Sequence, residues 1–129
     1  MNDKQIKGVA WQPGTIDSYL VTYFDGSTAI REGKQLFKSN VLPFNGLGVA
    51  SVRLRLQAMR KSIRRELRRW DETKSLHPGN LCSIRNRAEK INLFVGAVPE
   101  DFADALIVIH LEALLPAVDA AIDELKEAM

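Results

Sequence analysis

The sequence predicts an α+β fold: a small N-terminal antiparallel β-hairpin or sheet, followed by a helical bundle of three long helices. Three observations predict it. Asp25-Gly26 sits between two runs rich in β-branched and aromatic residues, a hairpin signal. The apolar period changes from about 2 to about 3.6 after Gly48. Beyond that point, three helix-length segments carry near-heptad apolar seams that have to be buried against one another. We therefore expect one domain over 1–129, with a β unit over 1–44 and the bundle over 47–129.

The β unit is read in order. Ile6 to Trp11 is a first strand, and Gln12-Pro13-Gly14 is a turn. Tyr19 to Phe24 and Ser27 to Glu32 are the hairpin arms, joined by a type I′ turn at Asp25-Gly26. Gly33 ends the unit, and Phe37 to Val41 is a candidate for one more short strand. Two strands alone are rarely stable, so two to four strands are expected, with one face in need of a cover. Trp11, Tyr19, Tyr23 and Phe24 are half-core residues of this sheet, or else an aromatic platform of the kind on which bases stack.

Pro43, Gly46 and Gly48 mark a linker. In the first helix Val49, Val52, Leu56, Met59, Ile63, Leu67 and Trp70 fall within one sector of about 80°. That helix ends before His77-Pro78-Gly79. Asn80 is the expected N-cap of the second helix, whose seam is Leu81, Ile84, Ala88, Ile91 and Val95, with Gly96 as its stop. Pro99, Glu100 and Asp101 suit the first turn of the third helix, and Pro116 predicts a kink or break within it. The third helix carries two apolar faces. Ile107, Leu111, Leu114, Val118, Ile122, Leu125 and Met129 form one; Phe102, Ala105, Leu106, Ile109 and Ala113 form another, about 160° away. One face belongs to the bundle. The other is covered by the sheet, or Phe102, Leu106 and Ile109 meet a partner or a second copy in a homodimer.

Charge is distributed unevenly. The formal net charge is +2, but residues 1–52 carry +1, residues 53–90 carry +8 and residues 91–129 carry −7. The basic excess is concentrated in the first helix, at Arg53, Arg55, Arg60, Lys61, Arg64, Arg65, Arg68 and Arg69, with Glu66 the only acid among them. Guanidinium groups fork to phosphate oxygens and stack on bases. The candidate site for nucleic acid, or for an acidic protein surface, is therefore Arg53, Arg60, Lys61, Arg64, Arg65, Arg68 and Arg69. Against this stands a solvated face whose flanking arginines Arg53, Arg60 and Arg64 pair with Asp119 or Glu112 of the third helix. Lys61, Arg65 and Arg68 lie near the centre of the polar face and stay free on either account.

Other chemistry is thinly represented. No Cys/His/Asp spacing fits a metal, no glycine-rich phosphate loop is present, and no catalytic arrangement or cofactor motif is visible. Cys82 reads as a buried, inert thiol, and His77 and His110 as structural residues. The longest apolar stretch, Ala105 to Val118, reads as too short and too polar to cross a bilayer, and the first ten residues lack a signal-peptide core. A single cysteine favours a cytoplasmic setting. The expectation is a non-enzymatic nucleic-acid-associated binding protein with no membrane partner. The alternative is a protein-binding module: an inhibitor, adaptor or assembly factor such as a mobile element carries.

Overall fold

A computed structural model of the chain describes residues 5–12, 14–38 and 47–128. Strands β1 (Ile6–Trp11), β2 (Ser18–Tyr23) and β3 (Thr28–Glu32) form one antiparallel sheet in the order β1-β2-β3. A short helix α1 (Gly33–Lys38) follows, then three longer ones, α2 (Val49–Thr73), α3 (Pro78–Ile91) and α4 (Asp104–Ala128).

Alternation along the strands sets the inner face of the sheet. Val9, Trp11, Tyr19 and Val21 are buried, and Val9↔Val21 and Trp11↔Tyr19 are direct cross-strand partners. Ile6 is also buried, although it lies three residues from Val9. The register slips between Ile6 and Gly8, and this bulge restores the inward phase. Between β2 and β3 the Gly26 amide donates to the Tyr23 carbonyl at 3.0 Å and the Tyr23 amide donates to the Ser27 carbonyl at 2.9 Å. In this turn only Gly26 has a positive φ, 89°. The connection is thus a three-residue loop with glycine in the left-handed position, not the two-residue type I′ turn expected from Asp-Gly. Asp25 Oδ1 instead accepts the Ser27 amide at 2.9 Å.

The sheet packs on the connection between α3 and α4. Phe94 is buried there, its ring centroid 5.7 Å from that of Trp11 and 5.8 Å from that of Tyr19. Phe94 has φ 61°, a conformation that L-residues resist, and burial between two rings holds it. Trp11 and Tyr19 are therefore core residues rather than a platform; of the four aromatic residues only Phe24, 67% exposed, projects from the hairpin.

Several boundaries differ from the sequence expectations. Phe37 and Lys38 end α1 rather than opening a strand, and the rest of that expected strand lies outside the described residues. So do Pro13, Pro43, Gly46 and the seam residue Met129. The N-cap of α3 is His77, whose Nδ1 accepts the Asn80 amide at 3.2 Å, with Pro78 opening the helix. Asn92, at φ 56°, closes α3 before Gly96, so Val95 falls outside the helix and is exposed. Pro99, Glu100 and Asp101 precede α4 rather than forming its first turn. Helix α4 runs unbroken through Pro116, whose exposed position leaves the carbonyl one turn earlier within reach of solvent.

One continuous cluster of buried side chains joins the sheet, α1 through Leu36, and the three longer helices. Val52, Leu56, Met59 and Ile63 of α2 meet Ile107, Leu111, Leu114, Val118, Ile122 and Leu125 of α4 in it. By length and composition, residues 104–127 would suffice to cross a bilayer, contrary to the expectation from the shorter apolar stretch; 44% of the apolar window is buried within the protein. The second apolar face of α4 is not covered by the sheet. Phe102, Leu106 and Ile109 are 49%, 49% and 61% exposed.

Tyr19 gives the β unit a pH dependence. Burial, then the charges of Asp17 and Glu124, hold its phenol well above the usual value of about 10. The neutral phenol is the form the native state favours, so its contribution is intact below about pH 10 and is lost as pH rises from there toward the native-state value. Alkaline unfolding followed by circular dichroism should therefore be less steep above about pH 10 in Tyr19→Phe than in the wild type. Equal steepness in the two proteins would contradict this.

Candidate anion-binding surface

The surface begins with the orientation of α2. Its inward line, Val52, Leu56, Met59 and Ile63, continues one turn later to Glu66, which is fully buried. The Glu66 carboxylate accepts the His77 amide at 2.6 Å and the Asn80 side-chain amide at 2.7 Å, and Arg69 Nε lies 3.6 Å from it. Asn80, expected as a helix cap, thus works as a clamp. Only Lys74–His77 separate α2 from α3, so α3 turns back alongside α2 as an αα-hairpin. Lys74 ends α2 at φ 54° and places its Nζ 5.5 Å from the centre of the Trp70 ring.

The candidate residues then divide by flank. On the α4 side, Arg53 Nε donates to the Ile122 carbonyl at 3.2 Å. Arg60 Nη1 donates to Asp119 Oδ1 at 3.3 Å, and Arg64 Nη2 stands 3.9 Å from the same oxygen. On the α3 side, Arg69 is held by Glu66. Lys61, Arg65 and Arg68 are exposed on the outer face between these flanks, and no ion pair joins them to the described residues. Arg64, its side chain 56% exposed, borders them. Exposed pairs contribute on the order of 0–1 kcal/mol, so the Asp119 contacts orient Arg60 and Arg64 more than they stabilise the fold. Glu112, the other acid expected to pair with these arginines, is exposed and has no ion pair with them.

A second basic element was not legible as a site in the sequence. Arg55, placed on the α3 flank of α2, lines a groove of about 470 Å³ with Cys82, Ser83, Asn86, Arg87 and Lys90 of α3. The spacing of these α3 residues is that of one helical stripe. The missing information was the antiparallel return of α3, which brings Arg87 and Lys90 beside Arg55. Cys82 is exposed in this groove, where the sequence suggested a buried thiol. His110 is half-buried, its ring edge-on to Phe102 at 6.0 Å. Among the described residues no group of His, Cys, Asp and Glu is arranged to hold a metal ion.

No protein-family model, curated protein or solved structure matches the chain.

The Glu66 clamp is testable by stability. Glu66→Ala leaves the part-buried donors of His77 and Asn80 without their acceptor and is expected to cost about 2–3 kcal/mol in urea unfolding. Combined with Asn80→Ala, the loss should be clearly less than additive. A loss below about 1 kcal/mol for Glu66→Ala would show that the carboxylate does not hold the helix pair.

Proposed function

We propose that the chain is a non-enzymatic nucleic-acid-associated protein that meets phosphates with the basic outer face of α2. The observation that carries this reading is the row Lys61, Arg65 and Arg68, with Arg64 beside it, exposed while the flanking arginines are occupied. Lys61 and Arg68 are two turns apart, about 10 Å along the helix at about 1.5 Å per residue. A ridge of this kind attracts any polyanion; phosphodiester backbone is the partner its guanidinium forks fit best, ahead of an acidic protein surface. No helix-turn-helix spacing accompanies it, so the binding proposed is weakly dependent on sequence. A cytoplasmic setting belongs to the same proposal.

Fluorescence anisotropy with labelled single- and double-stranded DNA and RNA, titrated with salt, tests it. Affinity should fall steeply with salt. Changing Lys61, Arg65 and Arg68 together to Glu should abolish binding at low salt, with the circular dichroism spectrum unchanged because all three face outward. Retention of DNA and RNA binding by the triple variant would overturn the reading, as would no binding by the wild type at low ionic strength.

A second reading is supported by a separate observation, the uncovered face Phe102, Leu106 and Ile109 of α4. Leu106 and Ile109 stand at helical spacing on α4, with Phe102 just before its first turn, and a two-fold pairing of α4 with its copy buries the same residues on both protomers. In this reading the chain is a protein-binding module that forms a homodimer. Light scattering at high concentration should give twice the chain mass, and Leu106→Glu with Ile109→Glu should return it to one chain mass. A strict monomer at high concentration removes this reading.

A further inference from the structure

We infer that the groove between α2 and α3 is a binding site for the phosphate group of a nucleotide. Its lining brings together cations from two helices, Arg55 of α2 with Arg87 and Lys90 of α3, and no carboxylate lines it. The Ser83 hydroxyl and the Asn86 amide add neutral donors on the same side of α3. Arg87 Nη1 donates to Ser83 Oγ, which fixes the plane of its guanidinium and leaves further N–H groups for a ligand.

Arg55 supplies the cation of the α2 wall. Its Nε is covered by the protein and has no hydrogen-bond partner among the described residues, so it is the rest of the half-buried side chain that meets the groove. Cations from two helices with no carboxylate among them call for an anionic ligand. The groove, about 470 Å³ and open to solvent along its length, exceeds what a bare phosphate fills. The groove therefore has space for the sugar and base that a phosphate carries. A phosphate presents several acceptor oxygens, enough for Arg55, Arg87 and Lys90 to engage it together.

This site lies on the α3 flank, apart from the outer row of Lys61, Arg65 and Arg68, and it does not rest on that row binding nucleic acid. The phosphate could come from a free nucleotide, as a monoester, or from a strand, as a diester. Cys82 offers a direct readout. It is the only cysteine of the chain, it is exposed, and it lines the groove.

The test is the rate at which Cys82 of the full chain reacts with an uncharged maleimide. Adenosine monophosphate and a thymidine dinucleotide lacking a terminal phosphate are the two probes, and adenosine is the control. Occupation of the groove should slow the reaction several-fold. Slowing by the monophosphate alone identifies a monoester site; slowing by the dinucleotide identifies a diester site. Either supports the proposal, provided adenosine leaves the rate unchanged. Arg55→Met and Arg87→Met should each raise the protecting concentration about tenfold, the worth of one charge-assisted hydrogen bond. Changing Lys61, Arg65 and Arg68 to Glu should leave protection in place, so this site can stand if the nucleic-acid reading fails. No protection by either probe at millimolar concentration overturns the proposal, as does equal protection by adenosine.

Discussion

The buried carboxylate of Glu66 is the constraint on which the helical half of the molecule depends. A lone carboxylate in an apolar seam is costly, and it is tolerated only when donors surround it. Here the donors come from the turn after α2 and from the first turn of α3: the His77 amide at 2.6 Å and the Asn80 side chain at 2.7 Å. Both contacts require α3 to fold back on α2. Had α3 left α2 at another angle, the charge would be stranded, so Glu66 stabilises one hairpin geometry over the rest. That geometry in turn determines which basic side chains of α3 come to lie beside Arg55.

The same helix shows how opposite charges are divided between fold and surface. The segments carrying +8 and −7 do not neutralise each other face to face. Among the described residues Asp119 of α4 meets Arg60 and Arg64, while Arg53 turns to the Ile122 carbonyl. Packing explains the economy. The α2–α4 contact is made by apolar side chains such as Leu56, Met59, Leu114 and Val118, and polar groups reach across only at its margin. The outer residues of α2 face solvent because the apolar seam holds the opposite side inward.

What was legible in the sequence follows periodicity. Strands β1, β2 and β3 and the inward lines of α2 and α3 repeat often enough to be read without knowing their partners, and the central basic residues of α2 follow from the seam. What was not legible depends on contacts between distant segments. Asn80 has the chemistry of a cap but is drawn to Glu66, leaving His77 to cap α3. Asp25-Gly26 has the composition of a two-residue turn but adopts a three-residue loop. Residues 92–101 hold three positive-φ side chains, Asn92, Phe94 and Asp101, and no local rule predicts a buried Phe in that conformation. The groove at Arg55 was hidden for the same reason: its two walls are brought together by a turn whose direction is set by Glu66.

The uncovered face of α4 follows from where the sheet is anchored. A three-stranded sheet with one apolar face can cover one surface, and here that surface is the Phe94 connection, gripped by Trp11 and Tyr19. Docking there puts the sheet over the end of α3 and beside Glu124, near the C-terminal end of α4. The N-terminal end of α4, with Phe102, Leu106 and Ile109, is then left with no element of the described chain to cover it. A single exposed apolar residue is ordinary, but Leu106 and Ile109 in helical register, with Phe102 just ahead of the helix, make a surface. The molecule thus presents two chemically distinct faces on different helices, an apolar one on α4 and a cationic one shared by α2 and α3. Because the fold keeps them apart, charge reversal on one leaves the apolar side chains of the other in place.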